Sequence, residues 1–87
     1  MKILVLQNKT ILLTQIEEVG ADIGEPDCKL IEPFLIKESE ILDTTLTMEP
    51  WLVSYTDQNT FMIHSDKILT IADPNSRLLN LYKDLTK

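Results

Sequence analysis

The sequence predicts a mainly β domain: a small barrel of five strongly bent antiparallel strands, with one α-helix at its C-terminal end. Three observations lead there. Short runs of β-branched and apolar residues alternate with turn-forming residues over residues 2–72. Several of these runs are apolar on both faces, which demands cover on both sides of a sheet. Only the last stretch, "ADPNSRLLNLYKDLTK", changes to the three-and-four spacing of a helix.

The first run, "KILVLQ" (Lys2–Gln7), stops at Asn8-Lys9, a two-residue turn candidate. "TILLTQIEEVGADI" (Thr10–Ile23) reads as one long strand, with Ile11 and Leu13 on one face and Leu12 and Ile16 on the other. Gly20 inside it predicts a bulge or a sharp bend. "GEPD" (Gly24–Asp27) is a turn. "CKLIEPFLIK" (Cys28–Lys37) is a third strand, in which Pro33 withholds one ladder donor and predicts a bulge or an edge. "ESEILDTT" (Glu38–Thr45) is acidic and irregular, as a loop would be. "LTMEPWLVSY" (Leu46–Tyr55) is a fourth strand, and "TDQN" (Thr56–Asn59) is the turn that follows. Two short runs, Phe61–His64 and Ile68–Ile71, are then joined by only Ser65-Asp66-Lys67, with the sole histidine of the chain at the joint.

Asp73 is the expected helix N-cap, with Pro74 in the first helical position, where its missing N–H costs nothing. The helix is expected over 74–86. Leu78, Leu81 or Tyr82, and Leu85 form its apolar stripe, and Lys83 and Lys87 suit the negative end of its dipole. Closing the strands into a barrel buries one face; the helix and neighbouring subunits bury much of the other. Apolar edges left open would aggregate, so pairing between protomers is expected.

At 87 residues the chain makes one domain, 1–87, and hides only roughly 60–65% of its unfolded surface. Its 44% hydrophobic content exceeds what so small a core needs, which points to an interface. The net charge of −6, with eight scattered basic residues, argues against a general electrostatic grip on nucleic acid. Apolar runs are too short for a membrane span, "MKILVLQNK" is no secretory signal, and the single Cys28 fits a reducing compartment. Nothing in the spacing suggests a metal cluster, a nucleophile with its base, or a glycine-rich phosphate loop, so neither an enzyme nor a cofactor is expected.

The stretch Ile63-His64-Ser65-Asp66-Lys67-Ile68-Leu69-Thr70-Ile71 is similar to the second signature of the Sm-like (LSm) proteins. That signature runs isoleucine, arginine, glycine, two variable polar residues, then apolar positions ending in isoleucine. "LQNKTILLTQI" (Leu6–Ile16) resembles the first signature, with Leu6, Asn8 and Ile16 matching and Lys9 at the usual glycine position. The segment Glu49–Tyr82 also looks like small Sm-like proteins carried by large tailed phages. The resemblance implies an SH3-like barrel in a homo-oligomeric ring of five to seven copies, strand four of one copy pairing with strand five of the next. It further implies non-enzymatic binding of single-stranded RNA, or of DNA, in nucleic-acid processing, and the cytoplasm of a bacterial host for a phage-encoded member. Three features depart from the pattern: no helix precedes the first strand, "GEPDCK" replaces the usual loop motif, and His64 and Ser65 stand where arginine and glycine are typical.

The nucleic-acid site expected from this likeness comprises His64, Ser65 and Lys67 in one turn and Asp27 and Lys29 in another, with Tyr55 as a stacking aromatic. Imidazole can stack on a base, and a hydroxyl or an ammonium can meet base edges or phosphate. The alternative for each is a turn whose polar groups face water. Trp51 and Phe34, inside apolar strands, read as core. An adaptor ring of the same fold, bound to protein partners with its RNA site lost, is the competing expectation. The sign of the charge around the joint discriminates: Lys29 and Lys67 clustered there favour RNA, Asp27 and Asp66 the adaptor.

Overall fold

A computed structural model describes residues 1–38 and 46–86. Of the expected loop Glu38–Thr45, only Glu38 falls within them, as the last residue of a strand; Lys87 lies outside as well. The elements are β1 (Lys2–Leu6), β2 (Ile11–Glu18), β3 (Cys28–Glu38), β4 (Leu46–Pro50), β5 (Thr60–Ile63), a 3₁₀ turn (Ser65–Lys67), β6 (Ile68–Ala72) and α1 (Ser76–Leu85). The described residues are thus mainly β with a single α-helix near the C-terminal end. All strands pair antiparallel in one sheet of order β4-β3-β2-β1-β6, and β5 also pairs with β3.

Among the described residues there are six strands where a five-stranded barrel was expected, one for each strand-like run, and their sheet has free edges at β6 and at β4 and β5. The run Leu46–Tyr55 ends as a strand at Pro50, which has no N–H to donate. Leu52 then turns left-handed (φ 60°), and its carbonyl accepts from the N–H of Tyr55 (2.9 Å) and of Thr56 (3.1 Å). The expected strand Thr10–Ile23 is shorter as well. Its pairing ends at Glu18 opposite Cys28, so Gly20 lies beyond the strand in open space and forms no bulge within it. The turn Asp22–Glu25 is closed by Glu25 N–H to the Asp22 carbonyl (3.0 Å), with Gly24 at φ 90° in the third position, where only a residue free of Cβ sits without strain. Lys9 takes a left-handed conformation (φ 69°) at the end of the β1–β2 loop, the geometry that glycine usually serves.

The bulge predicted from Pro33 is present. Leu13 pairs with Phe34 and Gln15 with Ile31, so Glu32 and Pro33 together face Thr14. Glu32 is left-handed (φ 49°). The extra residue reverses the alternation of β3: Leu30 packs on the inner face before it, Leu35 after it, while Phe34 and Ile36 turn outward. It is also where β3 changes partner. Cys28–Ile31 pair with β5 and Phe34–Glu38 with β4. The backbone groups freed at the change are taken up: Glu32 N–H donates to Asn59 O (2.8 Å) and Pro33 O accepts from Trp51 N–H (2.9 Å). Thr14, fully buried, has its hydroxyl 2.8 Å from the Gln15 carbonyl and 3.2 Å from that of Ile31.

Two apolar clusters result, one per face. The inner one joins Leu4, Leu6, Leu12, Leu30 and Phe61, with Ile68 of β6 and Trp51 against it, so the sheet curls around its own inner face. Trp51 meets Phe61 edge-on at 5.4 Å, in the core role its sequence setting predicts. The outer cluster joins Leu13 and Phe34 to Leu78 and Tyr82 of α1.

The helix starts later than expected. Asn75 rather than Asp73 is the N-cap, its side chain accepting from Leu78 N–H at 2.9 Å, because Asp73 is drawn to Lys2. Leu78 and Tyr82, four apart, carry the docking, Leu81 is half-buried, and Leu85 is largely exposed. Tyr82 packs edge-on against Phe34 (5.3 Å) and donates its hydroxyl to the Glu32 carbonyl in the bulge (2.9 Å). Tyr82→Phe should therefore cost about 1 kcal/mol in a chemical denaturation series, and Tyr82→Ala about 3–5 kcal/mol. Equal midpoints for Tyr82→Phe and wild type would mean that the hydroxyl does not hold the bulge.

Candidate functional site

The joint between β5 and β6 is short because it is held from outside. Its 3₁₀ turn is closed by Lys67 N–H to the His64 carbonyl (3.1 Å). His64 occupies the N-cap position, but its side chain makes no capping bond. Asp27, reaching over from the end of the β2–β3 turn, caps it instead. Ser65 N–H donates to Asp27 Oδ1 and the Ser65 hydroxyl to Oδ2, both at 2.7 Å. On the other side Gln7, just past β1, donates its backbone N–H to Lys67 O (3.0 Å) and its side-chain amide to Asp66 O (2.7 Å). A joint anchored at both sides needs no long loop.

Two hollows meet at Ser65. One, of about 390 Å³, is lined by the carboxylate residues Asp22, Glu25, Asp27 and Asp66, with His64 among them. The other is an apolar cleft of about 450 Å³, lined by Ile16, Cys28, Ile68, Leu69 and Ile71, with Lys2 and Glu18 also bordering it. The cleft lies where the inner face is left uncovered. Ile71 stands opposite the fully buried Leu4 across the β1–β6 ladder, yet is 55% exposed itself. Leu69 is the extra residue where the register shifts, and is 60% exposed.

The residues proposed for a nucleic-acid site divide among four places. Asp27, His64 and Ser65 line the acidic hollow together. Lys67 borders a separate small hollow with Leu6, Gln7 and Asn8. Lys29 sits in mid-strand on the outer face, opposite Glu17 on one side and Met62 on the other. Tyr55 is exposed in the turn after β4, beside Leu52 and Val53. The lysines do not gather where the carboxylates do. Gln7 as an anchor was missed; Ile68–Ile71 was expected at an apolar edge paired between protomers, and nothing local marks a cleft there.

Residues 1–87 match a family of unknown function, DUF6561. The chain belongs to this family. None of the curated proteins matches it. Among the described residues of this DUF6561 chain, no three histidine, cysteine or acidic side chains are placed to share a metal ion.

The electrostatics follow from these contacts. The Ser65 hydroxyl, and then its backbone N–H, hold the Asp27 carboxyl below the ordinary carboxylate range. Burial raises the Cys28 thiol, with Asp27 and Glu18 adding to it, so the sulfur facing the cleft stays protonated at neutral pH. Because the folded pKa of Asp27 is depressed, the cap it provides is at full strength above the ordinary carboxylate range and is lost as pH falls through the folded value. Carbon-detected NMR should show the Asp27 carboxyl titrating below a free aspartate, and Ser65→Ala should move its midpoint up. An unmoved midpoint in Ser65→Ala would remove the hydroxyl contact.

Proposed function

We propose that this chain is a non-enzymatic protein-binding module, an adaptor that works through the open seam of its sheet beside β6. The observation that carries the reading is the pair Leu69 and Ile71, 60% and 55% exposed in an apolar cleft beside a strand with one edge unpaired among the described residues. Large apolar side chains gathered beside a free edge form a surface that a partner covers in a working protein. We read the fold as a barrel of the Sm-like, SH3-like kind, left unclosed at this seam. The curl of the sheet around one inner cluster and the short tethered joint between its last two strands support that reading. The protonated, buried Cys28 suits a reducing compartment such as the cytoplasm. Among the described residues no helix is long and apolar enough to cross a membrane.

Single-stranded RNA or DNA is the weaker ligand. Asp27, His64 and Ser65 do come together, but a phosphate backbone entering their hollow meets four acidic residues and no lysine. A ring of five to seven copies is supported by the free edges at both ends of the sheet, which could pair head to tail and close. The charge of −6 on every copy opposes it.

Fluorescence anisotropy with oligo-U, oligo-A and single-stranded DNA at several salt concentrations separates these readings. No saturable binding is expected at moderate salt. Tight, steeply salt-dependent binding, with a slope flattened by Lys67→Ala, would replace the adaptor reading with the nucleic-acid one.

A further inference from the structure

We infer that β6 is the docking edge for an extended basic segment of another protein, which adds to the sheet as one more strand and lays an apolar side chain in the adjoining cleft. The inference deepens the adaptor reading and rests on it.

The backbone comes first. Among the described residues β6 pairs with β1 alone, so its second edge presents N–H and C=O groups that none of them pairs with in the sheet. Its sequence, "ILTIA", contains no proline or charged residue of the kind that normally discourages strand addition. The irregularity at Leu69 is confined to the start of the strand, and from Thr70 to Ala72 the pairing with β1 is in regular register. An added strand therefore finds a regular ladder there, and such ladders supply affinity without regard to sequence.

Side chains come next. In an added strand alternate residues point to one face, so one or two of them are directed at the uncovered inner side of the sheet. That side is the cleft, with Ile16 and the buried Cys28 lining it alongside Leu69 and Ile71. An aliphatic side chain laid there removes apolar surface from water on both partners.

Charge then selects the occupant. Glu18 borders the cleft, and the adjoining hollow contributes Asp22, Glu25, Asp27 and Asp66. Lys2, the basic residue at the cleft, is engaged by Asp73. A second copy of this chain would bring a further −6 to that border, whereas lysines or arginines flanking the apolar residue complement it. The partner that fits is a strand-forming peptide alternating aliphatic and basic residues.

The test uses the full chain and two synthetic peptides, one alternating valine with lysine and one alternating valine with glutamate. Titration followed by amide NMR should show saturable binding of the lysine peptide, with the amides of Ile68–Ala72 protected from exchange. Leu69→Asn, at an exposed position, should abolish binding while leaving the melting temperature near wild type. The double variant Glu25→Gln/Asp66→Asn, which keeps the Asp27 cap, should weaken it about tenfold. Equal binding of the glutamate peptide, or binding indifferent to Leu69→Asn with no protection of β6, overturns the inference. So does a multi-copy mass in light scattering that Leu69→Asn reduces to one chain, since a second copy then holds the edge. Oligonucleotides that bind overturn the adaptor reading as well; if both oligonucleotides and lysine peptide stay silent, only the assignment of β6 falls.

Discussion

One extra residue in β3 sets the terms for the rest of the molecule. Glu32 and Pro33 stand opposite Thr14 alone, and Glu32 is held in a left-handed conformation that costs about 1–2 kcal/mol for a residue with a Cβ. Were Glu32 and Pro33 paired one to one like their neighbours, the alternation of β3 would run on unbroken, placing Phe34 and Ile36 on the inner face and Leu35 on the outer one. With the bulge, each half of the strand presents its apolar residues to the cluster that needs them. The bulge also lets one strand serve two partners in succession, because the groups it frees are taken up by Asn59 and Trp51 at the ends of the β4–β5 connection. The helix closes the arrangement, since the Glu32 carbonyl finds its donor in the Tyr82 hydroxyl. A buried carbonyl left without one would cost about 1–3 kcal/mol.

The same economy shapes the joint at the other end of the sheet. A 3₁₀ turn of three residues has little stability of its own. Here it borrows a cap from Asp27 and two hydrogen bonds from Gln7, so β6 leaves β5 abruptly and returns to pair with β1. The cost is geometric. β6 is brought alongside β1, but nothing among the described residues lies on its far side, and the inner face is left open over Leu69 and Ile71. The tether that shortens the connection thus also places an apolar cleft next to an acidic hollow, with Ser65 common to both.

This adjacency governs what the surface can do. An apolar cleft alone accepts many occupants, and an acidic hollow alone is most simply a solvated face. Together, beside a strand with free backbone groups, they favour a chain that offers hydrogen bonds, aliphatic side chains and positive charge at once. Polyanions meet repulsion at the hollow, and further copies of an acidic chain meet it across the whole contact.

Much of the fold was legible along the chain. The strand runs 2–7, 28–37 and 68–71, the bulge at Pro33 and the C-terminal helix follow from residue type, periodicity of two or of 3.6, and the missing N–H of proline, all of them local effects. The meeting of the two turns does not: the Sm-like likeness implied it between neighbouring subunits of a ring, whereas Ser65 bonds Asp27 within one chain. Tertiary contacts decided the remainder. Asp73 lost the helix cap to Asn75 because Lys2, 71 residues away in sequence, competes for its carboxylate. Leu46–Tyr55 broke into a strand and a turn because Trp51 and Asn59 meet the bulge of β3 where a continuous strand could not. Lys29 and Lys67 were kept from the acidic hollow by strand register and by the direction of a three-residue turn. Above all, Ile68–Ile71 has the composition of a buried strand, and composition states only that such residues leave water when they can. Whether neighbours exist to cover them depends on how far a curled sheet closes, which is a property of the whole chain.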